Sequence, residues 1–117
     1  MNEQEFKERT KKFALRVIRL VEALPKSKTS DVLGRQLLRS GTSVGANYRA
    51  ACRARSTSDI IAKLGIVEEE ADESLYWMEL LIEAELVPPS KLESLMREAN
   101  EILAMTVASI KTLRTKK

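Results

Sequence analysis

DIIAKLGIVEEEADESLYWMELLIEAELVPPSKLE, residues 59–93, decides how the rest of the 117-residue chain is read. Ile60, Leu64, Val67, Ala71, Leu75, Met78 and Ile82 recur at steps of three and four, which gathers them on one side of an α-helix. Pro88-Pro89 cannot extend that helix, because proline lacks the amide hydrogen and its ring meets the preceding turn. The spacing therefore predicts a helix over about 59–87, roughly 43 Å long at ~1.5 Å per residue. Ser90-Lys91-Leu92-Glu93 has the form of a capping box. It opens a further helix to about Leu113, with Leu92, Leu95, Met96, Ala99, Ile102, Leu103, Thr106, Ile110 and Leu113 along one broad stripe.

The same period runs upstream. Phe6, Phe13, Val17, Leu20, Val21 and Leu24 predict a helix over about 3–24, stopped by Pro25. Leu33, Leu37, Val44, Tyr48 and Ala51 predict another over about 31–55, with Thr29 or Ser30 as its cap and Asp31 in the first turn. Four long helices joined by short connections are expected to form one domain, 1–117, an all-α antiparallel up-down-up-down four-helix bundle. The composition agrees, since Ala, Leu, Glu, Lys and Arg abound and aromatic residues make up 4 %. Leu64 and Leu103 are expected inside.

The N-terminal residues lack the apolar core of a signal peptide and no apolar run could span a bilayer, so a cytoplasmic protein without a membrane partner is expected. Histidine is absent, which removes the commonest general base and transition-metal ligand. The run Glu68-Glu69-Glu70-Ala71-Asp72-Glu73 has no Glu-x-x-His pairs to support a bundle metal site, and its consecutive acids point in different directions. Cys52 lies among Ala50, Ala51 and Ala54 and reads as a small apolar residue. No catalytic residue, metal or cofactor is expected, and the protein reads as a non-enzyme.

Two features predict self-association. Ala62, Ile66, Trp77, Leu80 and Ala84 fall on the side of the third helix opposite its core stripe, an apolar patch of the kind that marks a protein contact. In the second helix Gly34, Gly41, Gly45 and Cys52 line one side and permit close helix approach. The expected oligomer contacts are Gly41, Gly45, Ile66, Glu69, Glu73, Trp77 and Leu80. Arg39, Ser43 and Asn47 are read as a polar network that fixes helix register.

Charge is segregated along the chain. Residues 1–57 hold thirteen Lys and Arg against five acids, whereas 58–90 hold one Lys against nine acids. Arg9, Lys12, Arg16 and Arg19 on the first helix, and Arg35, Arg49 and Arg53 on the second, form basic stripes that present a row of phosphate ligands. The segment Arg39-Ser40-Gly41-Thr42-Ser43-Val44-Gly45-Ala46-Asn47 is not a phosphate loop, since no strand precedes it and no Lys-Ser/Thr ends it. An accessory protein that binds RNA or DNA through these stripes is one reading; a structural scaffold, with the arginines paired to glutamates across subunits, is the other.

Gln36 to Arg49, with its Arg-Ser-x-x-Ser-Val-x-x-Asn pattern, and Asp59 to Ser74 resemble the four-helix-bundle proteins first noticed in intervening sequences of 23S rRNA genes. That family is similar in turn to the accessory variability proteins of diversity-generating retroelements, basic pentameric barrels that bind nucleic acid and a reverse transcriptase. The resemblance implies a homopentamer and, through the retroelement proteins, nucleic acid and a nucleic-acid enzyme such as a reverse transcriptase as candidate partners; for activity it implies much less, since members of the intervening-sequence family generally have no assigned biochemical function, and no catalytic residue carries over. Many members follow the asparagine with Ile-x-Glu-Gly, whereas Asn47 is followed here by Tyr48, Arg49, Ala50 and Ala51, and Arg49 and Arg53 extend the arginine stripe.

Overall fold

In the computed structural model, which describes residues 2–116, four helices follow one another: α1 Glu3–Glu22, α2 Lys28–Cys52, α3 Thr57–Glu83 and α4 Pro89–Thr115. No strand occurs among the described residues. Each helix packs antiparallel on its predecessor, and α1 meets α4 to close a bundle 48 × 20 × 20 Å. The long axis exceeds the ~40 Å of a 27-residue helix at ~1.5 Å per residue.

Local chemistry sets the ends, in several places not as the sequence spacing predicts. Asn2 accepts from the Glu5 amide at 2.8 Å and Glu5 reaches back to the Asn2 amide, an unanticipated capping box on α1. Ser27, extended at φ −152°, caps α2 through the Ser30 amide, so α2 starts three residues early and neither Thr29 nor Ser30 is the cap. Ser30 is buried instead. Ser56 caps α3 through the Asp59 amide. The Ser90 capping box is not formed: Pro88 occupies the cap and Pro89 the first helical position, where its fixed φ suits a helix start and its missing amide hydrogen would have had no partner.

α3 stops at Glu83, four residues short of the expected end. Glu85 adopts φ 61°, the Leu86 amide bonds the Leu81 carbonyl at 3.0 Å and the Glu85 amide bonds that of Ile82 at 2.9 Å. This is a Schellman closure, with glutamate in the left-handed position usually held by glycine. It turns Val87 back into the core before the prolines are reached.

The core runs through Phe13, Val17, Leu37, Val44, Val67, Ala71, Met78, Leu81, Leu92, Ala99 and Ile102, with Ala51, Leu64 and Ile110 as a second cluster. Leu64 is buried as expected, whereas Leu103 is half-buried at the edge. Leu81 is fully buried and Ile82 only partly, the reverse of the stripe drawn from the sequence. The cause is that α3 packs against both α2 and α4, so its buried arc extends toward α2 and takes in Leu81 and Ser74. There the buried Ser40 and Ser74 hydroxyls meet at 2.9 Å across the α2–α3 contact, and Ser74 also donates to the Glu70 carbonyl.

Candidate nucleic-acid interface

Where α1 and α2 touch, small residues bring the helices close. A methyl on Gly41 would stand 2.8 Å from both Val17 methyls, and one on Gly45 would stand 3.2 Å from the Thr10 hydroxyl oxygen. Gly34 likewise faces Val21 and Leu24. The small-residue side of α2 therefore serves an approach within the chain, and buried Gly41 is not an outward contact with another subunit. Periodicity shows that a close approach exists but not which helix makes it.

Above this contact runs a groove of about 460 Å³ lined by Gln4, Lys7, Glu8, Lys11 and Ala14 of α1, by Thr42, Gly45, Ala46 and Arg49 of α2, and by Arg53, which caps α2. Its floor is small or hydroxyl-bearing and its walls carry four cations against the single carboxylate of Glu8, to which Gln4 donates a hydrogen bond at 3.3 Å. Lys7 makes an exposed pair with Glu3 at 3.5 Å, whereas Lys11, Arg49 and Arg53 have no carboxylate partner among the described residues. Arg35, Lys12 and Arg19 are also exposed and unpaired among these residues.

The arginines separate into two groups. Arg9 turns away from the groove to α4, where it grips both carboxylate oxygens of Glu98 at 2.7 and 2.9 Å and also bonds Glu101 and the Met105 sulfur. The hydrogen bond from Arg9 holds the Glu98 carboxyl below its usual range, and the guanidinium is correspondingly pushed up. Arg16 donates to the Ser94 hydroxyl at 2.8 Å. Both belong to the basic stripe of α1 expected to meet phosphate, but Arg9 is tied up in the α1–α4 seam and Arg16 leans on it. Lys7 and Lys11 line the groove instead, although the sequence reading passed over them. Arg9 is two residues from both Lys7 and Lys11, about 200° around the helix, so it points to the opposite side, and only the neighbours reveal which side is free.

Arg39 crosses from α2 to α3, pairing with Glu70 at 3.2 Å and with Glu73. Glu73 accepts from the Trp77 indole at 3.0 Å. Glu73 is thus joined to α2 of its own chain, and Trp77, placed opposite the core by the sequence, lies half-buried against the core on the α2 flank of α3. Ile66 and Leu80 are also half-buried, while Glu69 and the edge-on neighbour of Trp77, Tyr76, are exposed. Ser43 donates to the Arg39 carbonyl at 2.6 Å and Asn47 to the Ser43 carbonyl at 2.8 Å. The Ser43 and Asn47 side chains of the expected network thus bond to backbone carbonyls along α2 itself, and of its three residues only Arg39 reaches another helix, through Glu70 and Glu73.

At one end of the bundle a second cleft, about 700 Å³, is lined by Tyr48, Ala51, Cys52, Ile60, Leu64, Ala108 and Leu113 with Glu3 and Lys116 at its rim. Burial pushes the Cys52 thiol up, as it does the Tyr48 hydroxyl, so the sulfur is held as the unreactive thiol at neutral pH. No helix among the described residues is long and apolar enough to cross a membrane.

These features define a small antiparallel four-helix bundle with a basic side on α1–α2 and an acidic α3. The chain belongs to the 23S rRNA-intervening sequence protein family, whose model matches residues 2–108. It is similar to a solved protein of unknown function from the S23 ribosomal protein family of Bacteroides thetaiotaomicron, at 39 % identity and a TM-score of 0.88, with 95 % of this chain and 99 % of that one covered. No curated protein matches it.

Proposed function

We propose that the chain is a non-enzymatic, homo-oligomeric helical bundle that binds RNA or DNA through the basic side of α1 and α2, and that it acts as an accessory to a nucleic-acid enzyme. The observation that carries this reading is the set of cations there without carboxylate partners among the described residues: Lys11, Lys12, Arg19, Arg35, Arg49 and Arg53. A predominantly basic surface attracts polyanions. A homopentamer, which the family resemblance suggests, multiplies the +3 of each chain and lets several phosphates be met at once.

The binding is electrostatic, so its affinity falls steeply with salt. Anisotropy titrations with mixed-sequence RNA and DNA at several salt concentrations test it. Absence of binding at tens of micromolar protein in low salt would leave the scaffold reading, which the commitment of Arg9 and Arg39 to glutamates favours. In that case the remaining cations pair with the acidic α3 of neighbouring subunits.

A further inference from the structure

We infer that the α1–α2 groove is the nucleic-acid contact itself, and that it accepts the sugar–phosphate backbone of a single strand in preference to a duplex. The inference rests on the proposed nucleic-acid binding and adds where the strand lies and which form is chosen.

Three observations carry it. First, the cations come as two facing rows. Lys7 and Lys11 are one helical turn apart on α1, and Arg49, in the last turn of antiparallel α2, is followed four residues on by Arg53, which caps that helix. Four residues of helix rise about 6 Å, so each row offers successive charges along a common direction, and all four act on whatever lies between them. A flexible strand can lay consecutive phosphates along this line. In a duplex the phosphates of either strand wind away from a straight groove after a short contact, and the stiff double helix cannot sink between the rows.

Second, Ala14, Thr42, Gly45 and Ala46 leave the floor low. The close approach of Gly45 to Thr10 lies between the two cation rows, which line one groove. Thr42 spends its hydroxyl proton on the Leu38 carbonyl at 2.7 Å, so its oxygen adds no free donor, and the charge of the walls carries the attraction.

Third, none of the described residues that line the groove is aromatic. Single-strand binders that stack bases on aromatic platforms gain affinity from the bases. Here the bases face outward, so recognition is of the backbone and indifferent to sequence. Two features modulate it. The Lys7–Glu3 pair is exposed and worth little, so Lys7 can exchange Glu3 for a phosphate. Glu8 repels the strand, and Glu8→Gln should tighten binding.

The test uses the whole chain and a fluorescein-labelled 20-nucleotide mixed-sequence RNA, as single strand and as duplex, at low salt. Wild type binds the single strand more tightly than the duplex. Lys11→Glu/Arg49→Glu lowers single-strand affinity by about tenfold or more, whereas Lys63→Glu/Lys91→Glu, an equal charge change on α3 and α4 away from the groove, lowers it by about threefold or less. Each of these residues is exposed, and helical circular dichroism verifies the fold. Should the charge reversal disturb it, Lys11→Gln/Arg49→Gln serves instead and flattens the log–log salt slope by about 1.4, two contacts at ~0.7 each. Equal losses from the two variant pairs, or a preference for duplex, overturn the groove and leave the nucleic-acid function standing. Wild-type protein that binds neither form overturns both.

Discussion

Glycine at position 41 and glycine at position 65 look alike in the sequence, yet their surroundings give opposite predictions. A methyl at Gly41 would sit 2.8 Å from both γ-methyls of Val17. A β-branched side chain in a helix has one strongly preferred rotamer and cannot swing aside. Gly41→Ala should therefore destabilise the fold by about 1–3 kcal/mol, since overpacking outweighs the gain in helix propensity. A methyl at Gly65 meets nothing within 4 Å, so Gly65→Ala should stabilise by up to about 1 kcal/mol. Urea denaturation of the two variants compares them directly, and a Gly41→Ala protein at least as stable as wild type would refute the close approach of α1 and α2. Neither sign is legible in the chain, because a glycine in a helix advertises the absence of a side chain but not what stands across from it.

At the scale of elements, α1 and α4 touch sparingly through their backbones, and Arg9 spans the gap to Glu98 and Glu101. Because Arg9 lowers the Glu98 pKa, the native state favours the carboxylate more than the unfolded chain does. The stability this contributes is present above the ordinary carboxylate value of about 4.3 and is lost as pH falls through the lower, folded value. The urea midpoint should accordingly drop below about pH 4.3, and Glu98→Gln should make that drop shallower. An unchanged profile in Glu98→Gln would mean that the seam contributes nothing to acid stability. The end of α3 gives an independent prediction. Glu85 occupies a left-handed conformation that suits glycine, so Glu85→Gly should raise stability by a few tenths to about 1 kcal/mol, read as a higher thermal midpoint. The Leu-Val-Pro-Pro sequence announces that the helix ends but not that it ends at Glu83, because the earlier stop is decided by the burial of Val87.

For the whole molecule, the proposed oligomer must use a surface that the bundle leaves open. Trp77 and Glu73, drawn from the sequence as contacts, are largely engaged within the chain, Trp77 against the core and Glu73 with Arg39. The exposed side of α3 next to them presents Tyr76 and Glu69. Tyr76→Glu should therefore shift the mass measured by light scattering toward the monomer while leaving the thermal midpoint within a few degrees, since an exposed side chain contributes little to the fold. A wild-type monomer at micromolar concentration would sink the oligomer, and an intact assembly in Tyr76→Glu would move the contact elsewhere.

The sequence by itself determined that the chain makes four amphipathic helices in an antiparallel bundle, and it determined the segregation of basic and acidic halves. Both are properties of one helix at a time: apolar period, cap, proline and charge all act within a few residues. Tertiary structure decided which side of each helix is occupied. Arg9 and Lys11 both follow the charge pattern of α1, yet one is bound to Glu98 and the other lines the groove. Gly41 and Trp77 were read as outward and are turned to neighbours in their own chain. The physical reason is that a helix in a bundle has two flanks between its core side and its solvent side. Whether a flank residue packs, pairs or stays free depends on the adjacent helix, whose identity and register no local period encodes.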